Sequence, residues 1–313
     1  MVTNSFVGLS GRQAAKQIKS LLEQAGISPE DSSFEGWSLV KMVQPEQNPY
    51  LDIPLTEEQA RELQQLCEKR CQRVPLQYLA GNWDFLDFTL KVGPGVLIPR
   101  EDTYTLCLAA ADSARRMGAQ ADENFAALLG GWPQADVEIP PLEPTEVTIL
   151  DLCAGTGCVG LGILRMIPQA KVLAVEKSSE AFAYLCTNTK DTAVTPVKED
   201  VFGLEKKLPA QSVWVLAANP PYVTGDEMKQ LAPELAYEPT MALYAEEEGL
   251  AFYRYFAKFY PPVLKKGGWM VFEIGASQGE AVKTILQEAG ASFVQVLQDD
   301  GGRDRVVRGC FLS

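Results

Sequence analysis

The chain has 313 residues, of which 46% are hydrophobic and 22% charged; this is the balance of an ordinary soluble globular protein, with length for two domains or for one large domain with an appendage. It contains no histidine, which excludes Ser-His-Asp and Cys-His nucleophile systems and any His-ligated metal. Its net charge of −13, with no evident Lys/Arg cluster, argues against a nucleic-acid partner and for a protein or small-molecule substrate.

No apolar run approaches the roughly 18 residues that span a bilayer. Met1-Val2-Thr3-Asn4-Ser5 lacks the basic and apolar regions of a signal peptide. Seven Cys, an odd count without a regular framework, suit a reducing compartment, so a cytoplasmic location is expected.

Ser10-Gly11-Arg12-Gln13 has the form of a capping box, and Ala14, Ala15, Ile18, Leu21 and Leu22 follow at helical spacing up to Gly26. A second helix is expected over Phe34–Val43. A third opens at Thr56-Glu57-Glu58-Gln59 and places Ala60, Leu63, Leu66 and Cys67 on one face. Together they predict a small helical domain over 1–75. Cys67 and Cys71 lie four apart with no second pair to complete a metal site, so they are assigned to packing.

Residues 76–101 form a separate segment in which Phe85, Phe88, Leu90, Val92 and Val96-Leu97-Ile98, with Gly93-Pro94-Gly95, suggest a β-hairpin. Residues 102–313 form the larger domain. It opens with a helix over Asp102–Arg116 and an irregular insertion near 118–144, rich in Ala, Gly, Pro and acid.

From Glu146 strands and helices alternate. Strands are expected at Val147–Leu152, Lys171–Glu176, Val213–Ala218, Trp269–Ile274, Phe293–Leu297 and Val306–Phe311, and a further one ahead of Asp200. Helices are expected up to Met166, then over Glu180–Asn188, Gly249–Leu264 and Ser277–Ala289. This alternation implies an α/β fold with a mostly parallel sheet. The short Gly301-Gly302 connection permits only an antiparallel hairpin at the carboxyl end.

Between the first of these strands and its helix lies Asp151-Leu152-Cys153-Ala154-Gly155-Thr156-Gly157-Cys158-Val159-Gly160. Glycines there let the backbone turn tightly and approach a ligand, at a helix N-terminus that favours negative charge. Glu176 ends the next strand, 19 positions after Gly157, where a carboxylate can accept from two vicinal ribose hydroxyls. These glycines also satisfy G-x-G-x-x-G, so by themselves they do not separate NAD from S-adenosylmethionine. Asp200, followed by Val201, is placed to meet an adenine amino group. Asn219-Pro220-Pro221-Tyr222 then follows an apolar strand. Two prolines stiffen the backbone, and the Asn amide, a backbone carbonyl and the Tyr ring can grip a planar group bearing NH2.

A glycine turn, a strand-end acid, Asp200 and Asn-Pro-Pro-Tyr in that order resemble the Rossmann-like class I S-adenosylmethionine-dependent methyltransferases that act on a nucleobase amine or a side-chain amide. The flanks narrow this. Pro75-Leu76-Gln77-Tyr78-Leu79-Ala80-Gly81, Val92 to Arg100, Glu238-Pro239, Glu248-Gly249-Leu250, Gly267-Gly268-Trp269, Glu273-Ile274-Gly275 and Asp300-Gly301-Gly302-Arg303-Asp304-Arg305 resemble the release factor glutamine methyltransferase family, PrmC/HemK. The likeness covers about 75–313 apart from the insertion.

The resemblance implies methylation at N5 of the Gln in the Gly-Gly-Gln motif of class 1 peptide chain release factors. The methyl donor would be S-adenosylmethionine, with S-adenosylhomocysteine as product and no metal. It implies cofactor contacts from Cys153, Ala154, Gly155, Thr156, Gly157, Glu176, Asp200, Val201 and Asn219. Asn219, Pro220, Pro221 and Tyr222 would hold the substrate amide, and the N-terminal helical domain would contact the release factor. A ribosomal-protein glutamine and an adenine-N6 or guanine-N2 acceptor are the alternatives. Three departures stand out: Glu101-Asp102-Thr103-Tyr104 replaces Pro-Glu-Thr-Glu, Glu176 replaces Asp, and Cys153 replaces the Gly that opens the loop. Arg100 and Glu273 are expected to hold structure.

Overall fold

The computed structural model describes residues 6–45, 52–116 and 147–312, so the insertion near 118–144 lies outside the described residues. The chain divides into two compact units. One comprises Met1–Asn82 and Ala232–Tyr237, the other Trp83–Leu231 and Glu238–Ser313.

The first unit is helical: α1 (Gly11–Gln24), α2 (Pro29–Val43), α3 (Glu57–Cys71) and the short α4 (Leu76–Ala80). Both capping boxes form, with Ser10 accepting from Gln13 N–H and Thr56 from Gln59 N–H. The second helix begins at Pro29, earlier than expected, because Ser28 caps it and accepts from Asp31 N–H. Ala14, Ala15, Ile18, Leu22, Leu39, Leu63 and Cys67 make the core, and Cys71 is half-buried. Arg70, buried on α3, donates to both oxygens of Glu35 on α2 and to Glu234 from the Pro233–Tyr237 turn. Arg73 also donates to Glu234, and the Tyr237 hydroxyl donates to the Gln72 carbonyl at 2.7 Å.

The second unit opens with a hairpin, β1 (Asn82–Phe85) and β2 (Phe88–Lys91), whose Phe85 and Leu90 join the core of the main sheet. That sheet has seven strands: β3 (Thr148–Leu152), β4 (Lys171–Glu176), β5 (Val194–Lys198), β6 (Val213–Ala218), β7 (Leu264–Glu273), β8 (Ser292–Gln298) and β9 (Asp304–Phe311). Their order is β5-β4-β3-β6-β7-β9-β8. The first five are parallel, while β9 runs antiparallel between β7 and β8. This is the Rossmann-like sheet with a terminal antiparallel hairpin that the sequence predicts.

Every residue of β6 is buried, because helices cover both faces. On one side α5 (Thr103–Arg116) and α6 (Cys158–Met166) pack with Trp214, Val215 and Ala217. On the other, α9 (Ala251–Phe259) and α10 (Gly279–Glu288) pack with Val213, Leu216 and Ala218. Between β4 and β5 runs α7 (Ser179–Asn188), and α8 (Thr240–Leu243) follows the Pro233–Tyr237 turn.

The hairpin ends at Lys91, so Gly93-Pro94-Gly95 and Val96-Leu97-Ile98, expected in it, lie outside its strands. Two boundaries of the main sheet and its helices differ by several residues from expectation. The helix over Gly249–Leu264 is shorter, because Pro261 and Pro262 end α9 at Phe259. The strand that follows begins at Leu264 rather than Trp269, carried across Gly267 at φ +82° with an irregular register against β6.

Candidate active site

The strands β4 and β6 lie on either side of β3, so the chain order reverses at β3, and ligand crevices form outside the carboxyl ends of such strands. A cavity of about 390 Å³ occupies this position. It is lined by Cys153–Thr156 after β3, Glu176–Ser178 after β4, Asp200–Phe202 after β5, and Asn219 and Pro221 after β6. Its remaining walls come from Gly95–Arg100, Thr103, Cys158, Val159, Ala181 and the 239–252 stretch.

The glycine turn is built for close approach. Gly155 has φ +54°, and a Cβ there would meet nothing nearer than Val96 Cγ2 at 4.0 Å, so its backbone faces open space. Gly157 has φ +86°, and a Cβ would stand 2.8 Å from Leu185 Cδ1. At Gly160 a Cβ would lie 3.1 Å from Val172 Cγ1, which lets α6 pack tightly on the sheet. Asp151, fully buried, accepts from Gly160 N–H at 3.0 Å; burial pushes its carboxyl up to about 7 against that hydrogen bond.

Cys153 adopts φ +61°, a conformation that favours glycine. The departure from the family's Gly is therefore tolerated at a cost in backbone strain. Cys153→Gly should leave stability within about 1 kcal/mol, since relief of strain is offset by unfolded-state entropy. Cys153→Val, β-branched at positive φ, should lose about 1–3 kcal/mol in denaturant unfolding.

Both oxygens of Glu176 are engaged, Oε2 by Gly155 N–H at 2.9 Å and Oε1 by Ser178 N–H at 2.7 Å. The carboxylate thus ties the glycine turn to the entry of α7, and each oxygen keeps acceptor capacity for a ligand hydroxyl. Asp200 accepts from Phe202 N–H at 3.0 Å and pairs with Lys177 Nζ at 2.8 Å. Burial raises its carboxyl, but Lys177 and the Phe202 N–H more than offset this and hold it below the ordinary range. Val201 is buried beside it, and Phe202 is an exposed ring at the rim.

Asn219 Nδ2 lies 3.4 Å from Thr103 Oγ1 as donor. Neither Asn219 Oδ1 nor the Pro220 carbonyl receives a hydrogen bond from the described residues. Pro220 and Tyr222 do not line the cavity. The backbone of Tyr222 is pinned on both sides: its N–H donates to the Leu243 carbonyl at 3.1 Å and its carbonyl accepts from Gln278 Nε2 at 3.1 Å. Burial, with Glu273 nearby, pushes the Tyr222 phenol well up, so it stays neutral.

Four residues here escape residue-by-residue reading. Glu238, buried, accepts from Ile98 N–H at 2.9 Å and pairs with Arg100, joining two walls of the cavity. Met241, Tyr244 and Phe252 supply apolar surface. Their only signal in the sequence is the Glu238-Pro239 and Glu248-Gly249-Leu250 motifs. Within the departing segment, Asp102 pairs with Arg305 at 2.9 Å and Thr103 reaches Asn219, so the segment keeps a place in the site.

Residues 49–81 match the PrmC N-terminal domain, and residues 138–246 match the methyltransferase small domain. The chain is 32% identical over 263 residues to the release factor glutamine methyltransferase of Thermodesulfovibrio yellowstonii, covering 82% of this chain and 84% of that one. To that of Geobacter sulfurreducens it is 31% identical, over 82% and 81%. To that of Moorella thermoacetica it is 30% identical over 311 residues, or 96% and 97% of the two chains. The sheet order, the glycine turn and these likenesses agree, and the chain belongs to the release factor glutamine methyltransferase family.

Proposed function

We propose that this chain transfers a methyl group from S-adenosylmethionine to the side-chain amide nitrogen, N5, of the Gln in the Gly-Gly-Gln motif of a class 1 release factor. The observation that carries this reading is the pair of acceptors at the carboxyl end of β6, Asn219 Oδ1 and the Pro220 carbonyl, which receive no hydrogen bond among the described residues. They face chemistry that needs acceptors: an amide NH2 has two donors and a delocalised lone pair.

The cavity fits the donor. Its volume is within the range of small-ligand sites. It offers acceptors at Glu176 and Asp200 for a diol and an amino group, bare backbone at Gly155, and apolar walls for a purine. When bound, S-adenosylmethionine supplies an electrophilic methyl on a sulfonium. The chain's residues do the rest by position. Asn219 and Pro220 accept both N–H bonds of the glutamine amide and return electron density to nitrogen. Tyr222, held by Leu243 and Gln278, covers the amide plane. The methyl–sulfur bond would break as the nitrogen–methyl bond forms, leaving S-adenosylhomocysteine. The surplus proton on the methylated, strongly acidic nitrogen would pass to water, so no general base is required and catalysis rests on alignment and preorganised dipoles.

Glu176→Ala should weaken S-adenosylhomocysteine binding about 10- to 100-fold by calorimetry, the loss of charge-assisted hydrogen bonds together with the tether on the Gly155 N–H. The helical unit is assigned to contact with the release factor, and the reaction to the cytoplasm. The deciding experiment is a labelled-methyl assay of the whole chain with purified release factor, ribosomes and nucleic acid in parallel. Label in the release factor at the Gly-Gly-Gln glutamine is expected; label in ribosomal protein or nucleic acid alone overturns the substrate.

A further inference from the structure

Beside Asn219 lies a buried carboxyl with no task in the reaction so far. Glu273 ends β7, is 1% exposed, and its Oε2 has no hydrogen-bond partner among the described residues. Ala218 pairs with Phe272 across β6 and β7, so Asn219 and Glu273 stand at neighbouring strand ends, and Asn219 donates to Thr103. The Thr103 hydroxyl and the Asn219 amide both favour the charged form of this carboxyl. A buried carboxylate oxygen without a partner is costly, which points away from a role in stability.

We propose that Glu273 is a positioning residue that decides which end of the Asn219 amide faces the substrate. The inference rests on Asn219 as the acceptor for the glutamine NH2. An ionised carboxylate only accepts, so both neighbours must turn donors towards it. Thr103, its proton directed to Glu273, accepts from Asn219 Nδ2, and Oδ1 is left for the substrate. A neutral group at 273 can donate instead. The reversed amide is then equally satisfied, and it opposes the substrate NH2 donor to donor.

The surroundings make this orientation sensitive to pH. Burial raises Glu273 to about 7; Asp102 adds to this, while Thr103, Arg305 and Asn219 oppose it. Tyr222, Tyr253, Cys107 and Cys158 are near enough to feel its charge, and burial pushes all four up, so they remain neutral. Asp151 titrates in the same range but holds Gly160 of the glycine turn, so a substitution at 273 separates the two.

The test uses the whole chain, purified release factor and labelled S-adenosylmethionine between pH 6 and 9. Wild type should show kcat falling on the acid side. Glu273→Gln should lower kcat roughly 10- to 100-fold, abolish that acid limb, leave KM for S-adenosylmethionine unchanged, and melt no lower than wild type at pH 8. Thr103→Val should lower kcat by roughly tenfold and keep the limb. Wild-type kcat and pH profile in Glu273→Gln overturn the inference, as does a variant that loses cofactor binding and melts early, which would mark a structural role. An active wild type with an indifferent Glu273→Gln sinks this inference alone; a wild type that labels no release factor sinks the substrate reading and this with it.

Discussion

Asn219→Ala is expected to lower methyl transfer to a release factor by about 10²–10³-fold, the usual cost of deleting one preorganised polar contact to the reacting group. S-adenosylhomocysteine binding should persist, because the glycine turn, Glu176 and Asp200 are positioned by their own hydrogen bonds to Gly155, Ser178 and Phe202 N–H. The loss should fall on kcat more than on KM, since the acceptor matters most as the amide nitrogen gives up its delocalisation. Asn219→Asp sharpens the test. It keeps an acceptor but sets a second carboxyl beside buried Glu273, and two such groups do not both ionise readily. Activity should be intermediate and shifted to higher pH. Steady-state assays of the three proteins decide it: equal kcat in Asn219→Ala and wild type would remove Asn219 from the chemistry.

The parallel strands were the most legible elements. β4 and β6 have the boundaries expected of them, because strands covered on both faces carry unbroken apolar runs, here Val172 to Val175 in β4 and every position of β6. The glycine turn was legible for a related reason: Gly155 and Gly157 require positive φ, and few other residues supply it. Features that depend on distant partners were not. Pro233–Tyr237 belongs with the helical unit because Glu234 meets Arg70 and Arg73, more than 150 residues earlier, and nothing local announces it. The start of β7 was hidden because Lys265-Lys266-Gly267-Gly268 has the composition of a turn. There a Cβ on Gly268 would lie 2.8 Å from the Lys265 carbonyl oxygen and 3.2 Å from that of Trp214. The strand continues because glycine allows the backbones to close up. Glu273 was visible as a motif residue, but its burial without a full set of partners is a property of the assembled sheet.

Gly249→Ala is expected to destabilise the chain by about 2–4 kcal/mol and to lower kcat by about 100-fold, the scale of a misplacement near 1 Å. Gly249 has φ +81° and closes a left-handed turn in which Glu247 and Glu248 have φ +54° and +57°. A Cβ there would stand 2.2 Å from the Tyr222 carbonyl oxygen and 2.5 Å from Gln278 Nε2. The first of these is backbone and cannot swing aside. Gln278 holds the same Tyr222 carbonyl at 3.1 Å while its Oε1 accepts from Gly275 N–H at 3.0 Å, so the added methyl pushes directly on the segment that sets Asn219 and Pro220. Gly290 supplies the control. Its φ is +93°, yet a Cβ would meet nothing within 4 Å. Gly290→Ala should therefore carry only the conformational penalty, about 1 kcal/mol, with kcat unchanged. Urea unfolding and single-turnover methyl transfer on the two variants separate strain from displacement. Equal losses of stability and rate in both would show that left-handed strain alone accounts for the effect, and that the contact between Gly249 and Tyr222 does not position the site.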